Sequence, residues 1–446
     1  MIRGWVGVVI AAALAGCVHY APSPARPERF PAAFDARRLD ERPAGAAWSG
    51  SDLLAAALRR NPQVAEARAK YATALAAART ARLAPGLTLT LTAEYQDERP
   101  HWGGGAAADI ALDTAARRGA RTTTADLQAL QAWYDYGEAA WATRTALEKA
   151  RIDLASARQE LGLAARATDL RRERLDRLER RVGAGEDDRV VALTAQTELA
   201  GAERRLADAR GREGQALAAL AKALGVGPDA ARGLALAPVA GAPALGDLRE
   251  WRRDAALSRG DILRAVADYD IAESALRLEV AKQYPEVRIG PGYMYDHGVN
   301  ELPFNLALVL PTYDLNQRAI AQAEMARAAA GRSLELAQAN VLAAIDTAAA
   351  ALAAAQANAE RAASRALPAA ERTAADAARA VRAGEADRVD DLAARAAVVE
   401  AELDLLDARR AARTAAADLQ DALRRSFDPA ETAVLQSALT RPGGAS

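Results

Sequence analysis

Val182-Gly183-Ala184-Gly185-Glu186-Asp187-Asp188-Arg189-Val190 returns 199 positions later as Val381-Arg382-Ala383-Gly384-Glu385-Ala386-Asp387-Arg388-Val389. The same shift of 199 sets Leu58-Arg59-Arg60-Asn61-Pro62 against Leu257-Ser258-Arg259-Gly260-Asp261. The two anchors lie about 125 residues apart and include Gly, Glu, Asp and Arg positions rather than Ala alone, so chance matching in a biased sequence does not produce them. The chain is a tandem duplication, with halves at 51–249 and 250–446 of its 446 residues.

Each half carries one order of elements. Helical patterning covers 52–83 and 247–283, and Pro85 and Pro285 stop it, because proline cannot continue a helix. Leu87-Thr88-Leu89-Thr90-Leu91-Thr92 then alternates with period two, as a half-exposed strand does. Val287, Ile289, Tyr293 and Tyr295 repeat this less cleanly around Gly290-Pro291-Gly292. Polar or Gly-rich loops follow at 97–105 and 296–303, with Gly103-Gly104-Gly105 read as a loop tip. The strands are placed at about 86–96 and 106–116 in the first half, and at about 286–296 and 304–313 in the second. Residues 122–182 then form a helix of ~90 Å at 1.5 Å per residue. Its partner, 317–382, contains Pro368, which predicts a kink. Turns at Gly183, Gly185 and Gly384 lead into return helices over 187–225 and 386–426. Their apolar seams step by seven through Leu199 and Leu206, and through Leu392, Val399 and Leu406.

Composition agrees with long, closely packed helices. Alanine accounts for 121 residues, about 27% of the chain, while aromatics are 4%. Alanine is the best helix former, and its methyl group lets helix axes approach closely. Lys plus Arg number 58 and Asp plus Glu 59, a net charge of -1, so the basic field of a nucleic-acid binder is absent. Three His and one Cys rule out a Cys/His zinc cage and a disulfide within the chain. No nucleophile–base pair, phosphate-binding loop or HExxH motif occurs, so an enzyme is not expected, and neither a cofactor nor a metal site is.

The apolar run Trp5 to Ala15, behind Arg3, is too short to span a bilayer and fits a signal-peptide core. It ends Leu14-Ala15-Gly16-Cys17, the pattern of a bacterial lipobox. Residues 1–17 are therefore read as a lipoprotein signal peptide with lipidation, such as palmitate, at Cys17. Val18, where an Asp would favour the inner membrane, favours the outer one, and 18–50 reads as a Pro-rich tether. A lipoprotein without a spanning helix can enter lipid only through a closed β-barrel, because backbone groups in lipid must be satisfied internally. Two strand pairs cannot close a useful barrel, so several copies must pool their strands. Tyr95, Trp102, Tyr284, Tyr293, Tyr295, Phe304 and Tyr313 concentrate in these segments, as interfacial girdles do.

This two-half order resembles the TolC-type outer-membrane efflux family. Asp52-Leu53-Leu54-Ala55-Ala56-Ala57-Leu58-Arg59-Arg60-Asn61-Pro62 resembles the family's first helix, and Arg259-Gly260-Asp261 its second-half "RPD". Leu310-Pro311-Thr312-Tyr313-Asp314-Leu315-Asn316 resembles the segment entering the second long helix, and Arg181-Val182-Gly183-Ala184-Gly185 the periplasmic tip. The resemblance implies a mainly α homotrimer: a coiled-coil α-barrel joined to a twelve-stranded transmembrane β-barrel. It also implies a passive exit duct in outer-membrane lipid, driven by an inner-membrane pump of RND type through a periplasmic adaptor. Asp390, six residues after the tip glycine, matches the family's entrance constriction, whereas the first-half counterpart is Val191. Gly185, Gly384 and Arg181 match the adaptor-docking tips. Glu186, Asp187, Asp188, Glu385 and Asp387 are read as helix-start acids, and Arg181, Arg189 and Arg388 as a solvated face. His101 and His297 are read as polar loop residues rather than metal ligands, and Trp133, Tyr134, Tyr136 and Trp141 as packing groups. The alternative readings are a periplasmic adaptor or structural coiled-coil lipoprotein without a pore and, among channels, metal efflux or type I secretion.

Overall fold

The computed structural model describes residues 20–39, 45–84, 86–112, 114–239, 248–310 and 313–440. Cys17 and the rest of the signal segment lie outside the described residues, as do Pro85, Pro311 and Thr312. The described residues 20–38 belong to a unit of their own. In it a 3-10 turn, Pro27–Arg29, leads into α1, Phe30–Asp35. The rings of Phe30 and Phe34 stack at 5.7 Å, with the Arg37 guanidinium 5.2 Å from the centre of the latter.

The second unit starts at Leu39. Trp48, placed in the tether by sequence, belongs to this folded body. Its amide donates to the Ala235 carbonyl at 2.7 Å and its indole is buried, because a large apolar ring is not left on a solvated linker when a core lies within reach. Helix α2, Gly50–Arg60, opens on a capping box: the Ser49 hydroxyl accepts from the Asp52 amide at 3.2 Å and the Asp52 carboxylate from the Ser49 amide at 3.1 Å. The single helix expected over 52–83 is broken at Asn61, which caps α3, Pro62–Ala81, through a 2.8 Å bond from the Gln63 amide.

Strands β1, Thr88–Tyr95, and β2, Trp102–Ala111, follow. The second begins and ends several residues earlier than expected. Gly103 to Gly105 are strand, not loop, because the sheet packs tightly there: a Cβ on Gly105 would lie 2.6 Å from the Tyr293 carbonyl oxygen. Residues 114–116, expected as strand, start a helix instead, with Thr114 as its cap. The long helix α4, Ala115–Gly183, runs 69 residues, ~100 Å at 1.5 Å each. Return helix α5, Arg189–Leu224, and the short α6, Pro228–Arg232, complete the first half.

The second half repeats this order. Helices α7, Leu248–Ser258, and α8, Gly260–Ala281, precede β3, Glu286–Asp296. The loop expected over 296–303 holds a short strand, β4, Val299–Glu301, and the last expected strand is β5, Phe304–Val309; between them the Pro303 carbonyl accepts from the Gly292 amide at 2.8 Å. Then come α9, Gln317–Arg361, α10, Leu367–Ala383, return helix α11, Arg388–Leu423, and α12, Pro429–Ala438. Between α9 and α10 lies a π-helical turn, Ala362–Ala366. The irregularity expected of Pro368 takes this form, since the wider turn accommodates a ring that cannot fit the regular i→i−4 ladder.

The second return helix buries the expected seam of Leu392, Val399 and Leu406. The first does not: Leu199 and Leu206 are only half-buried, and the buried heptad is Ala195, Ala202, Ala209 and Ala216. Alanine there lets α5 lie close along α4, and the leucines flank the contact. Helix α4 is the centre of the unit, packing on α3, α5, α8 and α11.

Each half ties the start of its hairpin-side helix to the end of its return helix. In the first, Asn61 Nδ2 donates to the Ala223 carbonyl at 2.9 Å. In the second, Arg259 Nη1 donates to the carbonyl of Ala422, the residue 199 positions after Ala223. Asp261 holds Arg259 in place through a two-pronged pair at 3.0 and 2.6 Å, which accounts for the Arg-x-Asp spacing. Burial pushes the Asp261 carboxyl up, but the Arg259 pair and Arg424 outweigh it and hold it below the ordinary value. Its contribution to stability is therefore present above the ordinary carboxylate range and is lost as pH falls through the depressed value. Asn61→Ala should cost about 1–3 kcal/mol in thermal unfolding, since a buried carbonyl loses its donor. The melting temperature should also drop as pH is lowered past about 4, and Asp261→Asn should flatten that drop.

Candidate functional site

Two regions bring functional side chains together: the hairpin tips and the strand layer. At the first tip α4 ends with Gly185 at φ +75°, and at the second α10 ends with Gly384 at φ +75°. Both turns close the same way. The Glu186 amide donates to the Arg181 carbonyl at 2.9 Å, and the Glu385 amide to the Ala380 carbonyl at 2.9 Å. The left-handed conformation explains why glycine occupies both positions.

The return helices start differently. Asp387 caps α11, and the Asp390 carboxylate reaches back to the Asp387 amide at 3.4 Å, closing a capping box. Val191 takes the matching position in α5, and the cap Asp188 makes no side-chain bond. Asp390 is exposed. Asp391 is 1% exposed and accepts from Arg388 and Arg395, the latter at 3.0 Å, so it is a structural ion rather than a lining group.

The arginines expected on a solvated face include two that are paired. Arg181 reaches Asp187 at 2.8 Å, Glu186 at 3.7 Å and Asp387 of the other tip. Burial works against its charge, but Asp187, Asp387 and Glu186 prevail and hold the guanidinium above its ordinary value. Arg388 binds Asp391 and approaches Glu173 of α4 at 3.8 Å. These belong to a series of ion pairs between α4 and α11: Glu138–Arg424 at 2.8 Å, Lys149–Asp418 at 2.5 Å, Arg166–Glu402 at 3.0 Å and Arg171–Glu400 at 3.0 Å. Sequence reading missed this series, although opposite charges at matching depths of the two helices carried the signal.

In the strand layer the order is β1-β2-β3, with β4 and β5 both on β3, all antiparallel. The register sorts the side chains. Leu89, Leu91 and Tyr95 lie opposite Ala108, Ala106 and Trp102. Ala106 and Ile110 lie opposite Tyr293 and Ile289. Ile289 and Val287 lie opposite Leu306 and Leu308. No charged residue falls on that face. Glu94, Asp109, Glu286, Arg288, Asp296 and Glu301, all the charges of the five strands, alternate onto the other one, beside Thr88, Thr90 and Thr92. At its helix-proximal end Arg288 pairs with Asp109 at 3.1 Å and Glu286 with Arg117 at 2.7 Å. The apolar face is left to solvent: Leu91 is 72% and Phe304 66% exposed. Among the described residues, strands β1 and β5 each have one unpaired edge.

His101 stacks on Tyr95 at 5.7 Å and His297 bonds Asp296 at 2.7 Å, both at strand ends. Among the described residues no group of three or more His, Cys, Asp or Glu side chains could hold a metal. Trp133 packs on Tyr71 and Tyr136, and Trp141 donates to Asp421 at 3.0 Å.

Duplicated helical hairpins carry a charge-sorted strand layer with two edges open among the described residues. The comparisons agree. Residues 53–226 match the profile described as outer membrane efflux protein. Protein CyaE of Bordetella pertussis is 33% identical over 215 residues, 44% of this chain and 44% of that protein, so the match spans under half of the relative's length. The outer membrane protein VceC of Vibrio cholerae superposes with a TM-score of 0.70 at 21% identity, covering 85% of this chain and 97% of that one. The outer membrane channel CmeC of Campylobacter jejuni does so with a TM-score of 0.71 at 12% identity, covering 95% and 97%. Residues 53–226 thus resemble the outer membrane efflux protein family, and the chain as a whole shares the fold of these two solved proteins.

Arg181→Ala should loosen both tips at once. Amide hydrogen exchange should rise at 180–190 and at 384–392, whereas Arg189→Ala should leave 384–392 unchanged.

Proposed function

We propose that several copies of this chain, three by the family resemblance, form the outer-membrane exit duct of a tripartite exporter. The observation that carries this reading is the strand layer. One of its faces is uncharged and apolar, the other holds every charge, and both edges lack partners. Such a layer is stable in lipid only when closed, with the uncharged face outward and the charged face lining water. Four strands per copy, counting β4 and β5 as one interrupted strand, give a twelve-stranded wall for three copies. The eleven residues of β3 extend ~36 Å at ~3.3 Å per residue, and tilted by ~45° they cross the hydrocarbon core. Tyr95, Trp102 and Tyr295 sit toward one rim and Tyr284 and Tyr313 toward the other, the places of interfacial aromatics.

The helical hairpins then extend the water path into the periplasm, and the tips at Gly185, Gly384 and Arg181 meet an adaptor that links the duct to an inner-membrane pump. Asp390, one per copy, lines the entrance. Repeated about an axis, exposed carboxylates attract cations and repel one another. In this reading the chain is a passive conduit, in keeping with the outer membrane efflux protein match over residues 53–226. Acylation of Cys17 anchors the duct to the outer membrane and residues 18–47 form the tether. The two halves, 51–249 and 250–446, are the two efflux repeats.

Extraction tests the reading. The Cys17→Ser protein should still need detergent to leave the membrane, whereas a merely tethered coiled-coil protein would be released in soluble form. In planar bilayers Asp390→Ala should raise single-channel conductance or lower cation preference. An unchanged current–voltage curve removes Asp390 from the entrance.

A further inference from the structure

The repeat offers an internal control on which polar side chains the fold itself requires. On α4, Arg144, Glu148 and Arg151 stand where the second half has Ala343, Thr347 and Ala350. On α11, Arg413 and Gln420 stand where the first half has Gly214 and Ala221. The second half packs at this level through the apolar side chains of Val341, Ile345, Ala349 and Leu419. Buried ions cost more desolvation than apolar groups of the same shape, so packing does not account for the charges of the first half.

These side chains line a cavity of about 470 Å³ between α4, α11 and the starts of α2 and α12. Arg144 is 3% and Arg151 6% exposed. Arg144 donates from Nε to Glu431 at 2.8 Å, and from Nη2 to Gln420 at 2.6 Å and Ser426 at 3.3 Å. Its buried Nη1 meets no acceptor among the described residues. Arg151 Nη1 donates to Glu148 at 2.7 Å, and its buried Nε likewise meets none. Arg413 is half-buried on the α11 wall and has neither an ion pair nor a hydrogen bond among the described residues. The carboxylates at the cavity are engaged: Glu148 by Arg151, Glu431 by Arg144 and by the Ser426 hydroxyl at 2.9 Å, and Asp428 by the Ala430 amide at 2.8 Å. Ser49 and Gly50 bring the amino end of α2 to the same space, and a helix start favours an anion. A Cβ on Gly50 would collide with Arg151 Nη1 and stand 2.8 Å from Glu431 Oε1, so glycine keeps this corner open.

We propose that the cavity binds a phosphate-class oxyanion, a free phosphate or a phosphate ester, with Arg413 as its main counter-ion and Arg144 and Arg151 as fixed donors. Guanidinium groups stay charged at any working pH and match phosphate oxygens in pairs. Arg144 and Arg151 are already held by their carboxylates, so little side-chain freedom is lost on binding. The occupant is soluble rather than a lipid headgroup. Arg144 lies ~44 Å along α4 from its strand-side end, at 1.5 Å per residue, and in the proposed duct the bilayer surrounds the strands. Seated there, the anion joins α4, α11 and α12, and an anion bound only by the folded state stabilises it.

Thermal unfolding of the full-length protein in neutral detergent tests this. Inorganic phosphate should raise Tm by several degrees and saturably, whereas chloride at the same ionic strength should not. Arg413→Ala should keep its Tm in chloride, since that side chain has no partner to lose, yet weaken phosphate about tenfold or more. Arg413→Lys should recover part of that loss. Equal stabilisation of the wild type and Arg413→Ala, or none beyond chloride, overturns the site and leaves water to satisfy the two buried arginines. In phosphatidylcholine nanodiscs inorganic phosphate should act as it does in detergent. A shift produced there by phosphatidylglycerol without phosphate overturns the soluble source. The cavity lies within one chain, so the titration reads it apart from the number of copies in the duct.

Discussion

Backbone hydrogen bonding at two strand edges governs the rest of the structure. Strand β1 has one edge satisfied by β2, and β5 has one satisfied by β3. The strands pair with nothing on their outer sides among the described residues. In water such edges invite aggregation, and in a bilayer each unpaired group costs several kcal/mol. The uncharged face fits the second environment in the proposed duct. There the strand layer is an open arc completed by neighbouring copies, with the helices beneath it arranged for the same company.

The helices meet that requirement unequally. The first long helix packs on several helices of its own chain, with alanine contacts to α5 and ion pairs to α11. The second is enclosed on one side only, and none of the described residues of α10 is fully buried. The alanine richness of α9 and α10 gives this stretch enough apolar character to resemble a membrane span by length and hydropathy. It is the signature of a helix shaped for close contact with other helices.

Much of this was legible in the sequence because the governing signals are periodic. The Leu-Thr alternation of 87–92 set the first strand, and the shared offset of 199 set the two halves and the two glycine turns. Errors arose where a residue's usual role was overridden by packing. Gly103 to Gly105 look like loop residues and lie in a strand because the neighbouring backbone leaves no room for a side chain. Leu199 and Leu206 look like a seam, but alanines occupy it, since burial there is set by the distance between helix axes and not by side-chain size. The tip arginines look like solvated charges because their acceptors come from elements more than 200 residues away in one case: Arg181 finds Asp387. Spacing along a chain says nothing about such meetings. Asp390 was singled out through the family resemblance, and what the structure adds is its capping bond, which the first half lacks.

The enclosure of α4 by α11 has a temporal side. A polypeptide emerging from its N-terminus releases α4 long before α11, the last long helix, exists. Until then the apolar and charged groups of residues 138–181 that await α11 face water, and the early half resembles a zipper with one row of teeth. Contacts of such sequence separation form late and slowly. Maturation of this protein is consequently gated by its C-terminal fifth, and a truncation there would strand the N-terminal half in an aggregation-prone form rather than leave it as an independent module.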